Sequence, residues 1–352
     1  MKIVTIIGAR PQFIKAASLS REILKQEGVE EIIVHTGQHF DANMSKIFFD
    51  EMQIPKPHYN LAINSLGHGA MTGRMMEEIE KVLLTEKPDW LLVYGDTNST
   101  LAGALAAKKL HIKVAHVEAG LRSFNMKMPE EVNRILTDRI SDVLFCPTQQ
   151  AIDNLEKEGY KNIDCKVVNV GDIMYDSALF FSTLSKENDK RIPSNYVLAT
   201  VHRAENTDDP IKLKNIFEAL DSIHKKFPVV LPLHPRTKKL LEVHSVSTQI
   251  HLIEPVGYLE MVSLIKNSKA VITDSGGLQK EAYFFKKQGF TLRDQTEWVE
   301  LIAAGCNQLI DVLSDDISEI VLNDIEKQLD FSKEIYGDGN TSGRIIEVLR
   351  VS

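Results

Sequence analysis

Short runs of Val, Ile and Leu recur along the chain, and each is followed by a longer stretch of helical period. The first half contains KIVTIIG, EEIIVHTG, WLLVYGD, KVAHVEAG and DVLFCPT; the second contains YVLATVHR, VVLPLHPR, IHLIEPV and KAVITDSGG. Strands that are apolar on both faces and alternate with helices predict an α/β protein whose parallel sheets are covered on both sides. The series occurs twice. The break falls near residues 168–195, where VVNVGDIMYDSALFFSTLSKENDKRIPSN runs from a strand through a helix into a polar stretch. The pattern therefore predicts two Rossmann-like, doubly wound domains facing a crevice, the first over 1–170 and the second over 171–337. The final segment, IYGDGNTSGRIIEVLRVS, reads as a Gly-rich turn and a helix over 338–352. By pattern alone that helix either closes the nearer domain or crosses back to the first.

Length and composition narrow the classes. At 352 residues the chain is long enough for two cores. Its 43% hydrophobic and 26% charged residues are those of a soluble globular protein. A net charge of -8, with no long basic run, speaks against a nucleic-acid partner. The N-terminus MKIVTIIGARPQF is too short for a secretory signal or a membrane span, and no later run approaches spanning length. The cysteines Cys146, Cys165 and Cys306 are odd in number, widely spaced and lack a Cys-x-x-Cys pair. They read as buried free thiols of a cytoplasmic protein, and no metal-ligand spacing is visible.

In open parallel sheets ligands bind beyond the carboxyl ends of the strands, so the residues that end each strand matter most. In the first half these are Arg10, Gln38, His39, Asp96 and Glu118; in the second they are His202, Arg203, His234, Arg236, Asp274 and Ser275. A rim of ionisable groups suits a polar ligand. The stretch TDSGGLQKEA places free backbone N–H groups and the positive end of a helix at one corner, an anion site from which Gly276 and Gly277 keep Cβ atoms away. Taken alone it serves equally as a helix cap at Ser275 with a tight turn. Arg10, Lys15, His202 and Arg203 supply cations for the same rim, which favours a diphosphate, and Glu281 is placed for a ribose diol. After the first strand the chain reads GARPQFIK, without G-x-G-x-x-G or a Walker A pattern, so neither a bound NAD nor ATP hydrolysis is expected. Asp96, Glu118 and the pair Glu130 and Glu131 remain. Acid–base work at a sugar carbon needs carboxylates on two faces of the ring, and spacing alone does not assign which acts where.

Together IGARPQFIK, GDTNSTLAGALAA, HVEAGLRSFN, PEEVNRILTD, TVHRAEN, LPLHPR, TDSGGLQKEA, LRDQTEWVEL and YGDGNTSGRI resemble, in order along the whole chain, the non-hydrolysing UDP-N-acetylglucosamine 2-epimerases. The resemblance implies a glycosyltransferase-B-like fold with the last helix returning to the first domain, a homodimer, no cofactor, and a UDP-sugar as substrate. It implies interconversion of UDP-GlcNAc and UDP-ManNAc, for surface polysaccharide synthesis, by loss of UDP to a 2-acetamidoglucal and re-addition. By motif, Asp96, Glu118 and Glu130 resemble the acid–base carboxylates and His202 the group beside the departing phosphate. Arg10, Lys15, Arg134, Ser275, Gly276 and Gly277 resemble diphosphate or sugar contacts, and Glu281 the ribose contact.

Three departures stand out. TGQHFDANMS keeps Gln38 and His39, tied in the family to an allosteric UDP-GlcNAc, but places Phe40 and Asp41 where basic and amide groups are common. LRSFNMKMPEE is a short loop that, with HFDANMS, is similar to the branch acting on UDP-2,3-diacetamido-2,3-dideoxy-glucuronate; Arg122 or Lys127 would meet that sugar's carboxylate. Gln288 and Gly289 stand where Pro and a small residue are common. UDP-GlcNAc is the leading expectation, the diacetamido-glucuronate the second. A glycosyltransferase on the same fold and a non-catalytic UDP-sugar sensor are alternatives of another class.

Overall fold

The computed structural model describes residues 1–38, 53, 56–184 and 192–352. The chain forms two compact units, Met1–Phe180 with Ile335–Ser352, and Phe181–Glu334. Among the described residues, no helix is long and apolar enough to cross a membrane.

The first unit is built on seven parallel strands: β1 (Lys2–Ile7), β2 (Glu30–His35), β3 (Tyr59–Asn60), β4 (Trp90–Tyr94), β5 (Lys113–Val117), β6 (Val143–Cys146) and β7 (Lys166–Asn169). Their order is β3-β2-β1-β4-β5-β6-β7. The second unit has six: β8 (Val197–Thr200), β9 (Val229–Pro232), β10 (His251–Ile253), β11 (Ala270–Thr273), β12 (Gln288–Thr291) and β13 (Asn307–Leu309), in the order β10-β9-β8-β11-β12-β13. Both are doubly wound sheets whose order reverses beside the first strand, between β1 and β4 and between β8 and β11. Such reversals leave a crevice at the carboxyl ends.

Burial on both faces explains the continuous apolar strands. Every residue of β4 is buried, and Val4, Ile6, Val34, Leu91 and Val93 pack with Met75, Ile79, Val82 and Leu83 of the helix His68–Glu86. Each fully buried Val, Leu or Ile contributes about 1.5–3 kcal/mol. The Ala-rich helix Asn98–Lys109 lies close against the same sheet, and its first turn is capped by Thr97, whose hydroxyl accepts from Thr100 N. In the second unit Val197, Ala199, Phe217, Leu220, Val229 and Ile272 belong to the corresponding core.

The short strands β3, β12 and β13 lie outside the apolar runs of the sequence, being two to four residues long and carrying Asn, Gln or Gly. Pairing of β3 with β2, of β12 with β11 and of β13 with β12 holds them in the sheets. Gly289 has a packing reason: a Cβ there would lie 2.8 Å from Asn307 Oδ1. That oxygen accepts from Thr291 Oγ1 at 2.9 Å, and the Asn307 amide donates to Gln279 Oε1 at 3.1 Å.

The last helix, Thr341–Val351, packs against the helix Arg10–Ile23 of the first unit. Its first amides are held from that unit as well. Asp176 accepts from Thr341 N at 3.0 Å and Ser342 N at 2.7 Å, placing a carboxylate at a helix N-terminus. Cys146 and Cys306 are buried and Cys165 half-buried; all three are free, and burial pushes each thiol up from its ordinary value.

Candidate active site

In the first unit four of the sequence-selected residues meet at the reversal of strand order. β1 runs into the helix Arg10–Ile23, which carries Lys15; β4 ends at Gly95 and Asp96; β5 ends at Glu118. Lys15 pairs with Glu118 and Arg134 with Asp96. Gly95 brings the two pairs together. It has φ 61°, donates its N–H to Val117 O at 3.0 Å, and a Cβ on it would lie 3.3 Å from Glu118 Oε2 and 3.4 Å from Lys15 Nζ. The Asp96 side chain is 31% exposed and that of Glu118 11%, so Asp96 is the more open of the two carboxylates.

Glu118 carries backbone strain. Its φ of 70° lies in the left-handed region, which costs a non-glycine residue about 1–3 kcal/mol and is held only where surroundings over-determine it. Here Phe145 O accepts from Glu118 N at 3.1 Å and from Ala119 N at 3.0 Å. Gly120 follows with φ 78° and leaves no room for a side chain, because a Cβ would sit 2.6 Å from Ala151 O. Strained backbone at a strand end is a common mark of a functional turn.

The two glutamates of the PEE triplet part company. Glu130 is exposed on the first turn of the helix Pro129–Ile140, open to a ligand. Glu131 is 1% exposed and accepts from Ser123 N at 2.9 Å, from Phe124 N at 2.8 Å and from Arg134 Nη1 at 3.1 Å. Glu131 thus ties the loop after residue 122 to the arginine that holds Asp96. Arg122 does not have the open role given to it from sequence. Its guanidinium is buried and engaged with Glu158 at 2.7 and 2.8 Å, with Asp138 at 2.7 Å and with Leu121 O at 2.7 Å. With four of its five N–H groups engaged and its side chain 1% exposed, this cation is committed to two carboxylates inside the protein rather than open to a sugar acid. Lys127 is exposed.

Several residues here escaped sequence reasoning. Gln12 is 1% exposed, accepts from Gly8 N at 2.8 Å and Ala9 N at 2.9 Å, and donates to Tyr94 O at 2.9 Å and to Thr97 and Thr100 hydroxyls at 3.0 Å. It laces the turn after β1 to the turn after β4. His116 and Asp138 are fully buried and bonded to each other at 2.7 Å. Burial alone would raise the Asp138 carboxyl, but the hydrogen bond and charge of His116 and the guanidinium of Arg122 outweigh it and hold it below the ordinary range. Gln38 lies nearby, its amide oxygen accepting from Ser99 N at 3.1 Å and Ser99 Oγ at 2.7 Å. The side chain of Arg10 and the whole of His39 lie outside the described residues.

In the second unit the turns after β8 and β11 are held by one buried carboxylate. Asp274 Oδ2 accepts from His202 N and Arg203 N, each at 2.9 Å, and its Oδ1 lies 3.3 Å from His202 Nδ1. The His202 ring stays 43% exposed and stands 6.4 Å, centroid to centroid, from the ring of His234. His234 caps the helix Pro235–Val243, its Nδ1 accepting from Arg236 N at 3.2 Å. Ser275 precedes the helix Gly276–Phe284 but makes no side-chain capping bond, so the corner keeps its forward-pointing amides for another acceptor. A Cβ on Gly277 would meet nothing within 4 Å, whereas one on Gly276 would lie 2.5 Å from Glu297 Oε1. Gly276 O accepts from Trp298 Nε1 at 3.0 Å, and Gln279 Nε2 donates to Ser275 O at 3.3 Å, so the corner is braced from two sides. Glu281, two turns in, is 5% exposed.

Two Rossmann-like parallel-sheet units, one with paired carboxylates and cations at its strand ends and the other with an uncapped Gly-Gly helix corner, define an enzyme acting on a nucleotide-sugar. Comparison with known proteins makes that specific. The family model for UDP-N-acetylglucosamine 2-epimerase matches residues 21–350. The UDP-2,3-diacetamido-2,3-dideoxy-D-glucuronate 2-epimerase of Pseudomonas aeruginosa is 58% identical over 351 residues, 99% of each chain. The crystal structure of the Methanocaldococcus jannaschii UDP-GlcNAc 2-epimerase in complex with UDP-GlcNAc and UDP superposes with a TM-score of 0.86 at 43% identity, covering 100% of both chains. The Neisseria meningitidis enzyme bound to UDP-GlcNAc gives 0.87 at 33% identity, again over 100% of both. The chain belongs to the UDP-N-acetylglucosamine 2-epimerase family, and it is a UDP-sugar 2-epimerase.

Proposed function

We propose that this enzyme epimerises UDP-2,3-diacetamido-2,3-dideoxy-glucuronate at C2. The observation that carries the choice of sugar is the 58% identity, end to end, with the Pseudomonas aeruginosa protein of that name. The chemistry runs by elimination and re-addition. A carboxylate removes the C2 proton as UDP leaves C1, and UDP adds back to C1 as a second group delivers a proton to the opposite face of C2. Asp96 and Glu118 take these roles, supported by their placement on adjacent strand ends with one cation each. Glu130 is the third group and faces solvent on the next element. The second unit handles the leaving diphosphate: the Gly276 and Gly277 amides and His202 neutralise charge that grows as the C1–O bond breaks. Arg10, Lys15, Arg134 and His234 complete the contacts to the anion and sugar, with Glu281 on the ribose. The protein acts as a homodimer in the cytoplasm, without a cofactor, in surface polysaccharide synthesis.

A second reading keeps the reaction and changes the sugar to UDP-GlcNAc, favoured by relatives of that activity at 45% and 43% identity. Parallel turnover of the two nucleotide-sugars separates them. The first reading expects kcat/KM at least about tenfold higher for the diacetamido-glucuronate, the factor that about 1.4 kcal/mol of differential binding gives. Equal or reversed values overturn it in favour of UDP-GlcNAc.

A further inference from the structure

We propose that His116 and Asp138 are positioning residues that fix the Asp96 turn against the Glu118 turn, and that the rate of proton transfer depends on them although neither meets substrate. This rests on the reading of Asp96 and Glu118 as the acid–base pair. Both residues are completely buried. His116 lies within β5, two residues before Glu118, and its Nε2 faces Gly95 O at 2.7 Å, the carbonyl immediately before Asp96. Its Nδ1 faces Asp138 Oδ1 at 2.7 Å. The ring thus bridges the Gly95 carbonyl and the Asp138 carboxyl group. The second oxygen of Asp138 accepts from Gly120 N at 3.2 Å and from Arg122 Nη1 at 2.7 Å. One buried pair therefore grips both catalytic turns, the first at Gly95 and the second at Gly120.

The grip matters because Glu118, between the two held points, keeps a positive φ that costs a non-glycine residue and from which a released chain would relax, while Gly95 and Gly120 adopt positive φ without that cost. Arg122 extends the brace outward to Glu158 through two bonds, and Asn154 Nδ2 closes the far side by donating to Gly120 O at 3.1 Å. His116, Asp138, Arg122 and Asn154 are all buried. A shift of one turn by about 1 Å misplaces a carboxylate relative to the C2 proton, and such displacement costs about 10²-fold in rate.

The test uses the full-length enzyme with Asp138→Ala, Asp138→Asn and His116→Ala, beside Asp96→Asn and Glu118→Gln. Asp138→Asn retains an oxygen for Gly120 N and an amide that can donate to the imidazole, whose other nitrogen still holds Gly95 O. The expected result is a fall of about 10²-fold in kcat for Asp138→Ala and His116→Ala. KM and UDP affinity stay within about threefold, and Asp138→Asn recovers at least a tenth of wild-type kcat. Soluble, folded alanine variants with wild-type kcat overturn the proposal, as does a loss confined to KM. Equal losses in Asp138→Asn and Asp138→Ala, with UDP affinity falling in parallel, also overturn it, because they show a merely structural pair. Wild-type activity in Asp96→Asn and Glu118→Gln sinks instead the assignment of the catalytic carboxylates.

Discussion

Gln12 offers a quantitative test of how the turns of the first unit are held. Replacing it with Ala removes one carboxamide that serves five partners, but the partners are unequal. On the acceptor side, Tyr94 O retains the Thr100 hydroxyl at 2.7 Å, and the Thr97 and Thr100 hydroxyls still face each other at 3.1 Å. On the donor side, Gly8 N and Ala9 N, both in buried residues, share the Gln12 oxygen as their acceptor. Two buried N–H groups without an acceptor cost about 1–3 kcal/mol each, so Gln12→Ala should lose about 2–6 kcal/mol, nearer the lower end where water enters the space. Gln12→Glu keeps the acceptor and should lose less. Trp90, 3% exposed in β4, reports unfolding of this unit once Trp298 is changed to Phe. Urea titrations followed by Trp90 emission give the difference directly. A Gln12→Ala midpoint that corresponds to less than about 0.5 kcal/mol of destabilisation refutes the reasoning.

Other consequences concern charge, chemistry and the nucleotide corner. Burial holds the Glu31 carboxyl above its ordinary value of 4.5, despite a hydrogen bond from Thr5 at 2.5 Å. The folded state then binds more protons than the unfolded one, so this group's contribution is full below pH 4.5 and is lost as pH rises through the folded value; Glu31→Gln should flatten that part of the pH profile of the thermal midpoint. Asp96→Asn and Glu118→Gln should each lower kcat by about 10²–10⁴-fold, with UDP affinity by calorimetry unchanged. Gly277→Ala has open space and a helical position, so its thermal midpoint should stay level or rise, while KM for the nucleotide-sugar rises because the new methyl stands in the way of a phosphate.

The alternation of apolar runs and helical segments made the two sheets legible, because strands buried on both faces have little choice of residue. β12 and β13 were not, since their neighbours do the work: QGFT is a strand beside β11, and NQL beside β12. The polar strand ends Asp96, Glu118, His202 and Ser275 stood out against those runs. The supporting residues did not, for a physical reason seen in the helix Pro129–Ile140. This helix buries Glu131, Asn133, Thr137 and Asp138 and leaves Leu136 46% exposed, so the usual rule of an apolar inward face points the wrong way. Its inner face is a scaffold for charge. His116 gave one signal, a lone imidazole in KVAHV: a ring buried on both sides of a sheet needs partners, and Asp138 is one of them. Gln12 gave none, since its five bonds depend on turns far apart in sequence. Arg122 was misjudged because a single cation in a polar loop looks solvated until Glu158 and Asp138 are seen around it.

The most direct test of the reaction is proton NMR of the UDP-diacetamido-glucuronate incubated with the pure enzyme in deuterated water. Epimerisation through a lost C2 proton yields the C2 epimer with deuterium at that carbon and UDP still attached, and the recovered substrate gains deuterium as well. An epimer that retains its original C2 hydrogen contradicts proton transfer by Asp96 and Glu118, and release of free sugar with UDP shows that water rather than UDP adds back.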